Sequence, residues 1–125
     1  MASAQRRMLI VDDEHDICDC LEAFFSSRGF LTGRAFSGEE ALQQLEFSES
    51  PLDVLLLDIN LPGLSGIEVL RRVKELYPKM RVVMVTGLDY DELRDQARRC
   101  GAAAYITKPF DFSDLTWSAV LGWTS

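Results

Sequence analysis

Four short segments hold the residues able to do chemistry: "VDDE" with Asp12, Asp13 and Glu14, "LLDIN" with Asp58 and Asn60, "VTG" with Thr86 and Gly87, and "ITKP" with Thr107, Lys108 and Pro109. Each comes at the end of a short apolar run. If the first and third runs are neighbouring strands about 4.8 Å apart, their carboxylates meet. Two such charges about 4–5 Å apart repel by roughly 3–4 kcal/mol at an effective dielectric near 20, which a proton or a cation relieves. Oxygen donors without a paired His or Cys favour a hard divalent ion such as Mg2+. Lys108 brings a point charge suited to a phosphate oxygen, and Thr86 brings a hydroxyl. A carboxylate nucleophile at Asp58, a metal, an ammonium and a hydroxyl are the parts needed for phosphoryl transfer.

The runs that must position these groups are "MLIV" (8–11), "FLTGRAF" (30–36), "DVLLLD" (53–58), "RVVMVT" (81–86) and "AAYIT" (103–107). At least three are continuously apolar, as parallel strands covered on both faces must be. Helical patterns separate them. The first runs from about Asp16 to Ser27 with Ile17, Leu21, Phe24 and Phe25 at helical spacing, and Glu14 just before it reads as a helix-start charge rather than a ligand. "SGEE" opens the second with a capping box of Ser37 and Glu40. "GIEVLRRVKELYP" puts Ile67, Leu70, Val73 and Leu76 on one face, "DYDELRDQARRCG" has a thin stripe of Leu93, Ala97 and Cys100, and a fifth helix is expected from about Ser113 to the chain end. The order βαβαβαβαβα, with right-handed crossovers, predicts one doubly wound α/β parallel sheet. Function in such sheets lies outside the carboxyl ends of the strands, which is where the four segments fall.

The length of 125 residues suits one domain over 1–125, with its core at about 7–123. A formal net charge of −7 argues against direct gripping of nucleic acid or an anionic membrane. No apolar run approaches the ~20 residues of a bilayer span, and "MASAQRRM" lacks a signal-peptide core, so the expected location is cytoplasmic. Cys18, Cys20, Cys100 and the lone His15 have the atoms of a zinc site but poor spacing for one, and the cysteines read as reduced, mostly buried thiols.

Taken together, "LIVDDE", "LLLDINLPGLSG", "VVMVTG" and "AAAYITKPF" resemble the motifs of a response-regulator receiver domain of two-component signalling, over residues 8 to about 112. The resemblance implies a (βα)5 flavodoxin-like fold with strand order 2-1-3-4-5. It implies that Asp58 is the phosphoacceptor, loaded by a histidine kinase or phosphotransfer protein. Asp13, Asp58 and the Asn60 carbonyl would bind Mg2+, with Asp12 acting mostly through water. Lys108 would pair with Asp58 and then with its phosphate, and Thr86 and Tyr105 would be the coupled switch residues. A cis Lys108–Pro109 bond and turn roles for Pro62, Gly63 and Gly66 follow in the same way. Ile59, Gly87 and Leu88 depart from the usual pattern at positions that tune phosphoryl lifetime.

The implied protein is a signalling switch that catalyses its own phosphorylation and dephosphorylation, and not a turnover enzyme. Helix 4, strand 5 and helix 5 would form its output surface toward an output domain, a downstream protein or a homodimer mate. The chain end, in or just after the last helix, is read as a cut before a missing output domain. In that helix Leu115, Ala119 and Trp123 are expected to continue a core stripe begun by Phe112, while Trp117, Val120 and Leu121 form an outward apolar face. Arg94, Arg98 and Arg99 are expected on the outer side of helix 4. The alternative is a receiver-like interaction module that works without phosphate, but none of the acids, the lysine or the hydroxyl is missing. A haloacid-dehalogenase-type phosphatase would need Asp where Asn60 stands, and no GxxxxGK or GxGxxG nucleotide motif occurs.

Overall fold

A computed structural model describes residues 5–48 and 52–121. The elements are β1 (Arg6–Val11), α1 (His15–Ser26), β2 (Phe30–Ala35), α2 (Gly38–Phe47), β3 (Val54–Leu57), α3 (Gly66–Leu76), β4 (Arg81–Thr86), α4 (Asp91–Arg99), β5 (Ala104–Thr107) and α5 (Ser118–Leu121). The strands form one parallel sheet in the order β2-β1-β3-β4-β5, the expected order. Met8 stands beside Val54 and Val11 beside Leu57, so β1 and β3 end level with one another.

Strand side chains alternate between faces, and both faces are covered. Leu9, Val11, Leu55, Leu57, Val82 and Met84 pack under α2, α3 and α4. Met8, Ile10, Val54, Leu56, Val83 and Val85 pack under α1 and the segment around α5. All four residues of β3 are buried, which is why that strand is apolar on both parities.

Local signals set the helix starts. Ser37 accepts a hydrogen bond from the Glu40 N–H at 3.1 Å and Glu40 accepts from the Phe36 N–H at 3.2 Å. The box therefore closes one residue earlier than the usual reciprocal bond. Ser65 caps α3 by accepting from Glu68 N–H at 3.3 Å. Gly63 adopts φ +74° in the turn after β3, a region closed to most side chains.

The last helix departs from expectation. Only Ser118–Leu121 is α-helical among the described residues, and a turn precedes it. Trp117 and Val120, expected to face outward, are fully buried, whereas Leu115 is 85% exposed and Phe112 41% exposed. Trp123 lies outside the described residues. The cause is the irregular 111–117 segment, which breaks the helical phase on which the projection depended. Asp111 accepts from Thr116 Oγ1 at 2.6 Å and from Ser113 Oγ at 2.8 Å, while the Trp117 indole N–H donates to the Asp111 carbonyl at 2.7 Å. That anchoring rotates Trp117 into a cluster with Phe25 and Phe110, with ring centroids 5.3 and 5.1 Å away. The apolar face expected to meet a dimer mate, another domain or a partner is therefore core at Trp117 and Val120, with Leu121 half-buried against it.

Candidate functional site

The site is assembled by the level ends of β1 and β3 and by the loop after β5. Asp12 immediately follows β1, and its N–H donates to the Ala35 carbonyl at 3.0 Å. Asp58 immediately follows β3, and its N–H donates to the Val11 carbonyl at 3.0 Å. The sheet's own ladder thus continues into the two acids and fixes where their side chains start. Beyond Asp58 the chain turns sharply: Gly66 N–H donates to the Ile59 carbonyl at 2.9 Å, drawing the start of α3 against the strand end. On the other side, Lys108 N–H donates to the Thr86 carbonyl at 2.9 Å, and the Lys108–Pro109 peptide is cis, as expected.

From this frame the Lys108 ammonium reaches three carboxylates. Nζ donates to Asp12 Oδ2 at 2.7 Å, to Glu14 Oε2 at 2.7 Å and to Asp58 Oδ2 at 2.9 Å. Asp12 and Asp58 are buried, with side chains 3% and 5% exposed, while Glu14 is 59% exposed. The three acids present one oxygen each within 4.8 Å of one another. Formally, three negative charges face one positive. Burial raises the Asp12 pKa, only partly opposed by its bonds from Lys108 and the Glu14 N–H. Burial works against the Lys108 charge, yet the hydrogen bonds to Asp12, Glu14 and Asp58 outweigh it and hold the ammonium above its ordinary range. Both groups shift toward holding protons, Asp12 chiefly because it is buried and Lys108 because three carboxylates accept from it.

Asp13 and Asn60, both exposed, line the same cavity of about 570 Å³ as Glu14, Asp58 and Lys108. The Asn60 N–H donates to Asp58 Oδ1 at 3.1 Å. An all-oxygen set with excess negative charge, beside a cavity lined by a further carboxylate, fits a hard divalent cation.

Thr86 is fully buried at the end of β4, and Tyr105 is half-buried on β5. They are linked through one residue: Leu88 N–H donates to Thr86 Oγ1 at 3.3 Å, and Tyr105 OH donates to the Leu88 carbonyl. Arg94 lies over the Tyr105 ring, 4.7 Å from its centroid, and is itself held by Asp89 at 2.7 Å. Burial raises the Tyr105 phenol pKa, with Arg94 opposing. Arg98 and Arg99 are exposed, as expected.

Sequence reasoning missed two participants. Glu14, read as a helix-start charge, makes no side-chain cap of α1 and is bound to Lys108 instead. Leu88 acts through its backbone, which no side-chain pattern reveals. His15 stacks on Phe36 at 4.1 Å. Cys18, Cys20 and Cys100 are free, but only Cys18 is buried, its thiol pushed up to about 11 chiefly by that burial; Cys20 is exposed and Cys100 half-buried, against the expectation of mostly buried thiols.

A parallel (βα)5 sheet with strand order 2-1-3-4-5, and with acids and a lysine converging at its carboxyl end, defines a flavodoxin-like domain. The model of the response regulator receiver domain matches residues 8–119, and the chain belongs to that family. Sporulation initiation phosphotransferase F of Bacillus subtilis is 34% identical over 109 residues, covering 87% of this chain and 86% of its own. Regulatory protein VanR of Enterococcus faecium is 37% identical over 83% of this chain, but the chain spans only 44% of VanR. Among solved structures, a CheY-like receiver domain protein from Methanospirillum hungatei JF-1 superposes with TM-score 0.85 at 33% identity, covering 92% of this chain and 90% of that one. The CheX–CheY–BeF3–Mg2+ complex of Borrelia burgdorferi gives TM-score 0.87 at 30% identity, covering 94% of this chain and 87% of that one. Receiver domains are signalling switches of two-component systems and not turnover enzymes. No helix among the described residues is long and apolar enough to cross a membrane.

Proposed function

We propose that the domain is a phosphorylation-controlled switch that accepts a phosphoryl group on Asp58 from the phosphohistidine of a histidine kinase or phosphotransfer protein. The observation that carries this reading is the Lys108 ammonium held against Asp58 at 2.9 Å at the edge of an open cavity. An Asp58 carboxylate oxygen attacks phosphorus, the P–N bond breaks, and its electron pair returns to the donor imidazole nitrogen, which takes up a proton. Hydrolysis of the acyl phosphate by water regenerates Asp58. Lys108 neutralises charge on the transferring phosphoryl oxygens, and the Asn60 N–H holds Asp58 Oδ1, leaving Oδ2 toward Lys108.

Mg2+ is the ion we assign to the site, held by Asp13, Asp58 and the Asn60 carbonyl, with Asp12 contributing mostly through water. When bound, it supplies charge neutralisation to the phosphoryl oxygens. The receiver neighbour bound to BeF3 and Mg2+ supports this assignment. Phosphorylation draws Thr86 toward the new oxygens. Because Leu88 bonds to both Thr86 and Tyr105, that movement pulls on Tyr105 and alters the surface of α4, β5 and α5. The readers of that surface are an output domain, a downstream protein or a second copy of the domain. We place this exchange in the cytoplasm, with no direct contact to nucleic acid or membrane, in keeping with the acidic balance of the chain.

The test is incubation with acetyl phosphate or beryllofluoride and Mg2+, comparing wild type with Asp58→Asn by intact mass and amide chemical shifts. The expected result is a phosphoryl adduct and shifts in β4 and β5 in wild type alone. Absence of both in wild type overturns the reading and favours a module that works without phosphate.

A further inference from the structure

Every proton of the Lys108 ammonium is engaged at rest. It has three to donate, and they go to Asp12, Glu14 and Asp58 at 2.7, 2.7 and 2.9 Å. A phosphoryl group on Asp58 presents further oxygens to the same ammonium. The bond to Asp58 passes to one of them, and a second phosphoryl oxygen reaches the ammonium only if Asp12 or Glu14 lets go; these two differ in what release costs.

The Asp12 side chain is only 3% exposed. A carboxylate released there loses its cation without regaining water, and buried unpaired charge is strongly unfavourable. Glu14 is 59% exposed and returns to solvent on release. Among the described residues no other hydrogen bond holds its side chain: Glu14 occupies the N-cap position of α1 without capping it. Asp12, by contrast, also accepts the Glu14 N–H at 2.9 Å, so it stays anchored at a second point.

We propose that Glu14 is a positioning residue for the phosphoacceptor: it orients the Lys108 ammonium over Asp58 at rest and yields its hydrogen bond to the incoming oxyanion. The inference rests on the reading of Asp58 as phosphoacceptor and adds regulation to it, since loading competes with a carboxylate built into the domain. An ion pair exposed on one side is worth little, so the competition is modest. Converted to a ratio, it corresponds to about a two- to fivefold effect on the affinity of a phosphoryl mimic.

The experiment titrates beryllofluoride into wild type, Glu14→Gln and Asp16→Asn, read by 19F NMR of the bound species. Mg2+ is first titrated alone into each protein, so that all are compared at saturation. Asp16 is an exposed acid in the first turn of α1 and is not among the partners of Lys108. It therefore reports the effect of removing one charge near the site without removing a ligand of the lysine. The expected result is two- to fivefold tighter binding by Glu14→Gln and wild-type affinity in Asp16→Asn. Glu14→Gln binding no more tightly than wild type overturns the proposal, as does an equal gain in Asp16→Asn, which would mark a general charge effect. Failure of wild type itself to bind, with Asp58→Asn indistinguishable from it, would instead remove the phosphoacceptor reading on which the proposal stands.

Discussion

Replacing Gly66 by Ala tests whether the site is held by backbone packing behind Asp58. A Cβ at residue 66 would lie 2.0 Å from the Asp58 carbonyl oxygen, 2.6 Å from Ile59 Cα and 2.7 Å from the Asp58 carbonyl carbon. Real Cβ contacts essentially never fall below 3.0 Å, so α3 and the end of β3 must part by about 1 Å. All three obstacles are backbone atoms, and no rotamer change relieves them. Overpacking of this kind costs about 1–3 kcal/mol, and we place Gly66 near 3 because nothing flexible can give. The better helix propensity of alanine returns up to ~1 kcal/mol, leaving a net loss of about 2 kcal/mol. For a chain of this size that is a fall in Tm of roughly 6–10 °C. Circular-dichroism melts of wild type, Gly66→Ala and Gly33→Ala make the comparison, because a Cβ at residue 33 would meet only Leu9 Cδ1 at 3.6 Å. Amide spectra should also show shifts at Asp58, Ile59 and Asn60 in Gly66→Ala. A Gly66→Ala Tm within about 2 °C of wild type, matching Gly33→Ala, would refute the reasoning.

Trp117→Ala should cost about 3–5 kcal/mol in urea denaturation, and Trp117 emission in a Trp123→Phe background should resist iodide quenching; free quenching would contradict its burial. The bonds from Thr116 and Ser113 hold Asp111 below the usual carboxylate range. Its stabilising contribution is therefore fully present above its unfolded pKa of about 4 and is lost as pH falls through the lower folded value. Asp111→Asn should accordingly be less stable than wild type near neutrality, with the gap closing on acidification, and a gap independent of pH would count against the turn. Mg2+ at ten times its dissociation constant should stabilise wild type by about 1.4 kcal/mol and stabilise Asp13→Asn and Asp58→Asn less; equal melting shifts in all three would exclude those ligands. Arg94→Ala removes a cation–π contact worth about 0.5–1 kcal/mol and should increase excursions of Tyr105 from Leu88, seen as an altered 19F-tyrosine signal; an unchanged spectrum would rule out the clamp.

Much of the site was legible because parallel sheets put function at one end of every strand. A charged residue closing an apolar run, as Asp58 closes "VLLL", therefore marks its own place. The same rule located Asp12, Thr86 and Lys108. It said nothing about direction. Asp12 and Asp13 are adjacent and chemically identical, yet one is buried on Lys108 and the other faces the open cavity, because successive residues leaving a strand point to opposite sides. Glu14 escaped for the opposite reason: its position at a helix start has a common electrostatic explanation that the actual side chain does not use.

The end of the chain shows the limit most clearly. Apolar spacing projected on an ideal helix put Leu115 inside and Trp117 outside, and the structure reverses them. Periodicity is informative only while the helical phase is continuous, and the Asp111–Thr116 turn interrupts it with side-chain bonds that sequence spacing does not disclose. By itself the sequence determined the alternation of strands and helices, the two-sided burial of the sheet and the set of reactive residues, since these follow from local composition and period. Only the tertiary structure decided which carboxylates share the lysine, how Leu88 joins Thr86 to Tyr105, and which face of the final segment is core. The first depends on atoms remote in the chain, such as the 94 residues separating Glu14 from Lys108, and the others on backbone and side-chain bonds that residue spacing does not disclose.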